Sequence, residues 1–132
     1  MEGKGKSVKG ILLFGHGARN PEWAQPFHGI RDAILAREPA ALVEPGFLEL
    51  LRPSFDEAVA SLVRQGATEI VVVPIFMAAG RHVKKDLPQI AANAMDRHDG
   101  LEITLAAPVG EAAPVLAAMA DYALDACTGA GE

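Results

Sequence analysis

Residues 69–76 read EIVVVPIF, an apolar run in which β-branched residues predominate. A run of this length is shorter than a typical buried helix, and its composition is typical of a strand. Continuous apolar strands, without alternation of polar residues, occur where both faces of a parallel sheet are covered by helices. We therefore predict that this segment is an inner strand of a parallel sheet.

On both sides of this segment, strand patterns alternate with helix patterns. We predict strands at 8–14, 42–48, 69–76 and 101–106, and helices at 26–38, 53–65, 86–97 and 111–126. In each helix the apolar residues recur at helical spacing. Asp86 is the predicted N-cap of the third helix. We expect one stripe of the last helix to face the core, namely Val115, Leu116, Met119, Tyr122 and Ala123.

The alternating order βαβαβαβα predicts the fold class. It indicates an α/β three-layer sandwich, in which right-handed crossovers place helices on both faces of a four-stranded parallel sheet. Pro45 and Gly46 weaken the second strand, which favours an edge position for it. The strand order 2-1-3-4 satisfies this condition and keeps the third strand inside. We predict one domain, 8–127, between a flexible N-terminal tail, 1–7, and a C-terminal tail, 128–132.

Composition excludes several functional classes. The chain has 132 residues and a formal charge of −5, so it lacks the basic excess of a general nucleic-acid binder. Its single cysteine, Cys127, cannot form an internal disulfide, which favours a reducing cytoplasm. No apolar stretch approaches the length of a membrane span. Neither a GxxxxGK[ST] phosphate loop nor a GxGxxG or GxSxG motif is present.

The predicted strand order brings distant polar residues to one edge of the sheet. In open parallel sheets, ligands bind beyond the carboxyl ends of the strands where the winding reverses, here between the first and third strands. His16 follows the first strand, His82 the third, and Glu49 the second. Two imidazoles and a carboxylate can bind a divalent metal, although each could instead be an ordinary loop residue. Trp23 and Phe27 are expected to pack as the staple of the first helix, with Trp23 close enough to line a pocket.

Three motifs in this order resemble one known family. The segments are LLFGHGARNPEWAQPF, FLELLRPSFDEAV and VVVPIFMAAGRHVKKDLP. Together they are similar to the short-form sirohydrochlorin cobaltochelatases, class II chelatases related to sirohydrochlorin ferrochelatase. The resemblance covers about residues 8–121, and its third motif has the form G-x-H-V-x-x-D-x-P.

The resemblance implies a chelatase-like half domain that works as a homodimer with a shared cleft. It implies that His16 and His82 bind the metal and that Glu49 takes part in catalysis. The implied activity is that of a lyase inserting Co²⁺, Fe²⁺ or Ni²⁺ into the tetrapyrrole sirohydrochlorin. The pathway is then cobalamin, sirohaem or nickel-tetrapyrrole biosynthesis, without an organic cofactor, nucleic acid or membrane. The alternative is a non-catalytic metal or tetrapyrrole carrier that uses the same two histidines.

The chemistry of insertion suits these residues. Imidazole binds first-row divalent metals yet allows exchange, and near neutral pH it can accept a pyrrole proton. Gly15, Gly17 and Gly80 are expected to let the flat macrocycle approach the backbone. Basic side chains in the same loops are expected to bind the substrate's carboxylates, with ordinary surface charge as the alternative. They are Arg19, Arg52, Arg81, Lys84 and Lys85.

Overall fold

The computed structural model describes residues 7–129 as a four-stranded sheet with four α-helices. The strands are β1 (Lys9–Gly15), β2 (Leu42–Phe47), β3 (Glu69–Pro74) and β4 (Glu102–Leu105). The helices are α1 (Gln25–Arg37), α2 (Phe55–Arg64), α3 (Arg81–Arg97) and α4 (Ala113–Cys127). Short 3₁₀ turns at Pro21–Ala24 and Val109–Glu111 precede α1 and α4.

All strand pairs are parallel, and the order is β2-β1-β3-β4. This confirms the predicted fold class, with β3 inside and the proline-containing β2 at an edge. Leu12 of β1 is paired with Val72 of β3, and both side chains are fully buried. The register aligns the carboxyl ends of β1 and β3, so the loops after these strands leave the sheet side by side.

One face of the sheet carries the larger part of the core. Helices α2 and α3 cover it, and Leu12, Phe14, Ile70 and Val72 are fully buried there. The Phe14 ring makes an edge-to-face contact with Phe55, with ring centroids 5.9 Å apart. Burying an apolar side chain of this size contributes about 1.5–3 kcal/mol, so this face accounts for much of the stability of the domain.

Among residues 7–129, the opposite face is covered by α1, which packs on β2. Phe27 of α1 is buried edge-on against Phe47 of β2, with ring centroids 4.9 Å apart. Farther along the same face, Ile11 of β1 and Val71 and Val73 of β3 are only half-buried. Ile11 and Val73 nevertheless pack against the second apolar cluster, which therefore extends from β2 across β1 to β3.

Helix α3 begins at Arg81, five residues before the predicted start. Gly80 is its N-cap, and the backbone N–H of Lys84 donates to the Gly80 carbonyl at 3.0 Å. The prediction that Asp86 caps this helix is wrong, since Asp86 lies in its second turn. Residues 81–86 contain a single apolar residue, Val83, which is too little periodicity to reveal the first turns.

Helix α4 forms where a helix was predicted, but it does not face the core. It has no buried residue, and Leu116, Met119 and Tyr122 are 45%, 44% and 68% exposed. The expected inward stripe is therefore wrong for the single chain. Apolar periodicity predicts that a helix buries one face but does not say against which surface.

Residues 1–6 and 130–132 lie outside the described part, and with them most of the two predicted tails. Ser7, which the tail prediction includes, donates a hydrogen bond from its hydroxyl to the Glu69 carboxylate at 3.1 Å. Within residues 7–129, the helices are all too short or too polar to cross a membrane.

Candidate functional site

His16 follows directly after the last residue of β1 and is exposed, whereas Gly15 before it is buried. Two backbone hydrogen bonds continue the pairing of β1 with the segment after β2. The N–H of Leu48 donates to the Gly15 carbonyl at 2.9 Å, and that of Glu49 donates to the His16 carbonyl at 3.1 Å. These bonds fix the backbone at His16 and Glu49, so both residues project from one rigid part of the sheet edge.

The two glycines beside His16 are required by packing within the protein. A Cβ atom at Gly15 would lie 2.4 Å from the Phe27 ring. Gly17 has φ +101°, and a Cβ atom there would lie 1.7 Å from the Glu49 carbonyl oxygen. Packing within the protein therefore already accounts for glycine at both positions, and the approach of a macrocycle to this backbone stays a prediction. Gly80, with nothing within 4 Å of a built Cβ, does have open space beside it.

An apolar cavity of about 520 Å³ opens next to His16. Its walls come from the loop after β1, from α1 with the turn before it, and from the ends of β2 and β3. They comprise His16, Gly17, Ala18, Trp23, Pro26, Phe27, Phe47, Leu51, Ile75 and Phe76. A mostly apolar concave surface with one polar group at its rim is typical of a small-molecule site.

Trp23 lines this cavity and is 65% exposed, so it does not act as a packed staple for α1. Phe27 is buried beneath it and does pack as expected. The contributions of Leu51, Ile75 and Phe76 to the cavity were missed from the sequence, because they looked like ordinary strand and loop residues. Leu50, also unpredicted, is exposed and has φ 68°, a left-handed conformation unusual for leucine.

A second cavity, of about 260 Å³, separates His16 from the start of α3. Phe76, Ala78, Gly80 and Val83 form its other walls. His82 lies between two of these residues, Gly80 and Val83, in the first turn of α3, and its side chain is exposed. The fold thus places both histidines at the carboxyl edge of the sheet. His16 lines the depression, and the backbone at His82 runs between two other residues that line it.

The basic residues do not all lie at this edge cavity. Arg19 and Arg81 are exposed near His16 and His82 in the chain, at the carboxyl edge. Lys84 lines a different cavity, of about 310 Å³, whose walls also include Leu105 and Glu111. The five predicted substrate-binding cations are therefore dispersed over more than one surface.

Arg52 lines a separate cavity of about 530 Å³ together with Glu44, Glu57 and Arg64. It is bound to the Glu57 carboxylate through Nε, at 3.2 Å, and through a second guanidinium nitrogen. These bonds, together with one from the Ser54 backbone N–H, lower the pKa of Glu57 to about 2. Ser54 and Glu57 form the capping box of α2. The structure thus gives Arg52 a carboxylate partner at the start of α2, beside a cavity that His16 does not line.

Within residues 7–129, no three His, Cys, Asp or Glu side chains are grouped closely enough to hold a metal ion. Glu49 shares a backbone hydrogen bond with His16, but its carboxylate does not complete a triad with the two histidines.

Comparison with known proteins gives consistent matches. The CbiX family model matches residues 10–126. The sirohydrochlorin cobaltochelatase of Saccharolobus solfataricus is 40% identical over 107 residues, which cover 76% of this chain and 82% of that protein. The sirohydrochlorin cobaltochelatase of Sulfurisphaera tokodaii is 39% identical over 101 residues, which cover 76% of this chain and 79% of that protein.

Solved structures show the same fold. A CbiX protein of cobalamin (vitamin B12) biosynthesis from Marinobacter aquaeolei superposes with a TM-score of 0.79 at 30% identity, covering 91% of this chain and 98% of that one. The sirohydrochlorin chelatase SirB from Bacillus subtilis subspecies spizizenii, in complex with cobalt, gives 0.75 at 31% identity. This chain is covered to 89% in that match but spans only 50% of SirB. The protein described here belongs to the CbiX family.

Proposed function

We propose that this protein is a sirohydrochlorin chelatase, a lyase that inserts a divalent metal ion into the tetrapyrrole sirohydrochlorin. The observation that carries the proposal is the convergence of His16 and His82. These residues are far apart in sequence, yet His16 lines a depression at the sheet edge, and His82 lies between Gly80 and Val83, which line it too. An apolar cavity of about 520 Å³ opens beside His16. The relatives named sirohydrochlorin cobaltochelatase support the same activity.

His16 and His82 are the proposed metal-binding residues. Insertion requires the incoming ion to lose water while remaining free to leave the protein, and neutral imidazole ligands meet both conditions. We assign only these two imidazoles to the metal, because a closed site with four protein ligands would retain it. Co²⁺ and Fe²⁺ are the proposed substrates, since solved SirB structures contain cobalt or Fe³⁺, and Ni²⁺ is a further candidate. No organic cofactor is needed for this chemistry.

Insertion also removes two protons from the pyrrole nitrogens. An imidazole held beside the ring is a suitable base near neutral pH. We assign this step to one of the two histidines. Glu49 is the proposed relay, because its backbone is hydrogen-bonded to that of His16 and its exposed carboxylate can pass the proton to water.

The surroundings of His16 suit a flat macrocycle with charged substituents. The apolar cavity offers a surface for the ring, with Trp23 at its open side. Arg19 and Arg81 are the cations best placed for the substrate's carboxylates, because both are exposed at the same edge. The first turn of α3 adds free backbone N–H groups, which favour anions. We do not assign Arg52 this role, given its bonds to Glu57.

We further propose that two copies form the working enzyme, with the cleft shared between them. The half-length match to SirB supports this, since a single SirB chain has about twice the length matched here. A second copy facing the sheet edge would also enclose the exposed histidines, which one chain leaves open to solvent. The proposed compartment is the cytoplasm, consistent with a single cysteine and hence no internal disulfide.

A turnover assay tests the activity. The purified protein is mixed with excess sirohydrochlorin and Co²⁺, and insertion is followed by the change in the visible spectrum against a protein-free control. Acceleration that continues beyond one equivalent per site supports an enzyme. A change that stops at one equivalent would instead indicate a carrier, and no acceleration would contradict the proposed function.

A further inference from the structure

The loop after β2 contains a strained turn next to a residue of the candidate site. Leu50 has φ 68°, and the N–H of Leu51 donates to the Glu49 carbonyl at 2.8 Å. A hydrogen bond that spans three residues, with a positive φ at the middle one, forms a γ-turn of the rare and strained kind. The chain thus has a leucine where glycine or asparagine would adopt the backbone conformation more readily.

The Leu50 side chain contributes little to the fold. It is 60% exposed, and within residues 7–129 it belongs to neither apolar cluster. Its neighbour Leu51, by contrast, packs against the second cluster and lines the cavity beside His16. A residue that is held in an unfavourable conformation without being buried indicates a role outside folding.

The backbone around this turn is fixed on the side of Glu49. The N–H of Glu49 donates to the His16 carbonyl at 3.1 Å. The Glu49 carbonyl oxygen, which accepts the bond from Leu51, also lies against Gly17. Leu50 therefore stands one residue after the proposed proton relay, on a backbone that is hydrogen-bonded to the end of β1. Its side chain is held at the carboxyl edge of the sheet, where a ligand can reach it.

Large exposed apolar side chains occur on each of the three loops at this edge. Trp23 follows β1, Leu50 follows β2 and Met77 follows β3, and they are 65%, 60% and 56% exposed. These three strands are neighbours in the sheet. Exposed apolar groups on adjacent loops, next to an apolar cavity, indicate a ligand-binding surface. A tetrapyrrole has the broad apolar ring face that such a surface would bind.

We infer that Leu50 contacts the ring face of the tetrapyrrole and contributes to substrate affinity, and that the γ-turn holds its side chain in place for this contact. This inference rests on the proposed function, to which it adds a substrate-contact residue. Glycine in the same turn would relax the backbone but would leave the ring without the contact, which explains the leucine. Metal binding and proton transfer remain assigned to His16, His82 and Glu49.

Substitutions within the turn separate the contact from the conformation. Leu50→Asn and Leu50→Gly tolerate the positive φ and remove the apolar group, whereas Leu50→Met retains an apolar side chain. Titration of each variant with metal-free sirohydrochlorin, followed by the visible spectrum of the tetrapyrrole, measures affinity. Leu50→Asn and Leu50→Gly are expected to bind roughly tenfold more weakly, and Leu50→Met within about threefold of wild type. In cobalt insertion, KM should rise by a similar factor while kcat changes less than about twofold.

Thermal unfolding provides a readout that a structural role would move in the opposite direction. Leu50→Asn and Leu50→Gly are expected to unfold at the same temperature as wild type or a higher one, because both relieve the strained leucine. Val8→Asn is the matched control for affinity. Val8 is 40% exposed and precedes β1, so it lies at the opposite, amino edge of the sheet. This variant should bind sirohydrochlorin as wild type does.

Each other outcome contradicts a definite part. Unchanged affinity in Leu50→Asn overturns the contact. Weaker binding together with a lower unfolding temperature shows that Leu50 acts through the fold, and weaker binding together with a changed molar mass in light scattering shows that it contacts another protein chain; either result overturns the inference. A wild-type protein that binds sirohydrochlorin through Leu50 but does not insert cobalt leaves the contact supported and contradicts the proposed function. A wild-type protein that does not bind sirohydrochlorin contradicts both.

Discussion

The Glu49 carbonyl oxygen occupies the space where a side chain of Gly17 would lie, 1.7 Å from a built Cβ atom. Gly17 also has φ +101°, so its conformation and its surroundings both require glycine. The loop that follows β1 is thereby packed on the loop that follows β2. This contact, next to the bond from the Glu49 N–H to the His16 carbonyl, joins two proposed site residues through the backbone.

Gly17→Ala is therefore expected to destabilise the domain and to displace Glu49 relative to His16. Gly66→Ala is the matched control, because Gly66 has φ +109° but nothing within 4 Å of a built Cβ. The control carries only the conformational cost of about 1–2 kcal/mol, whereas Gly17→Ala adds a clash with backbone and is expected to cost more than about 3 kcal/mol. Thermal or urea unfolding measures both. Equal losses would contradict the packing argument.

His82→Ala and His16→Ala are each expected to lower the rate of cobalt insertion by roughly a hundredfold or more, the range in which loss of a directly acting group falls. Both side chains are exposed, so the free energy of unfolding should be nearly unchanged. His98→Ala is the control, since His98 follows the last residue of α3, at the opposite end of that helix from His82. If His82→Ala keeps full turnover, the metal assignment is wrong.

Trp23 provides a direct reading of substrate binding, because it is the single tryptophan of the chain. Its position on the apolar cavity predicts that metal-free sirohydrochlorin quenches its fluorescence in a saturable manner. Trp23→Ala is expected to weaken binding by roughly three- to tenfold through loss of aromatic contact, and Trp23→Phe to retain most of the affinity. Neither variant contains a tryptophan, so substrate binding to both is followed by the visible spectrum of the tetrapyrrole. Absence of quenching at saturating substrate would place the macrocycle elsewhere.

Arg52→Ala is expected to raise the pKa of Glu57 from about 2 towards the ordinary carboxyl value, because the main cause of the lowering is the hydrogen bond from Arg52. A lowered folded-state pKa means that the pair stabilises the protein above the unfolded carboxyl pKa. That contribution is lost as the pH falls from about 4.5 towards about 2. Carboxyl chemical shifts across this range measure the titration. Arg97→Ala, which removes the exposed pair with Asp56, is the control.

The same variant separates two roles for Arg52. If Arg52 acts only at the start of α2, its loss leaves the substrate affinity unchanged, whereas Arg19→Ala is expected to weaken binding. A large loss of substrate affinity in Arg52→Ala would indicate that Arg52 binds the substrate, as predicted from the sequence.

The local pattern of apolar residues and prolines was sufficient to predict most of the fold. The β-branched run in β3 and the proline in β2 predicted an inner and an edge strand, because backbone hydrogen bonding and burial act on each strand directly. The strand order then followed, and with it the common edge for His16 and His82. The start of α3 was not predictable in the same way, since Val83 is the single apolar residue within 81–86 and the helix is capped by Gly80 without a side-chain signal.

The sequence by itself determined the element types, the parallel order and the placing of the two histidines at one edge, because each depends on periodicity and chain direction. Only the tertiary structure decided what each side chain contacts. Gly15 lies against the Phe27 ring, and Arg52 is hydrogen-bonded to Glu57. Trp23 lines an open cavity, and α4 buries no residue against the rest of residues 7–129. These contacts join residues that are distant along the chain, so local patterns do not reveal them. The apolar stripe of α4 predicts that one face is buried but does not say against which surface.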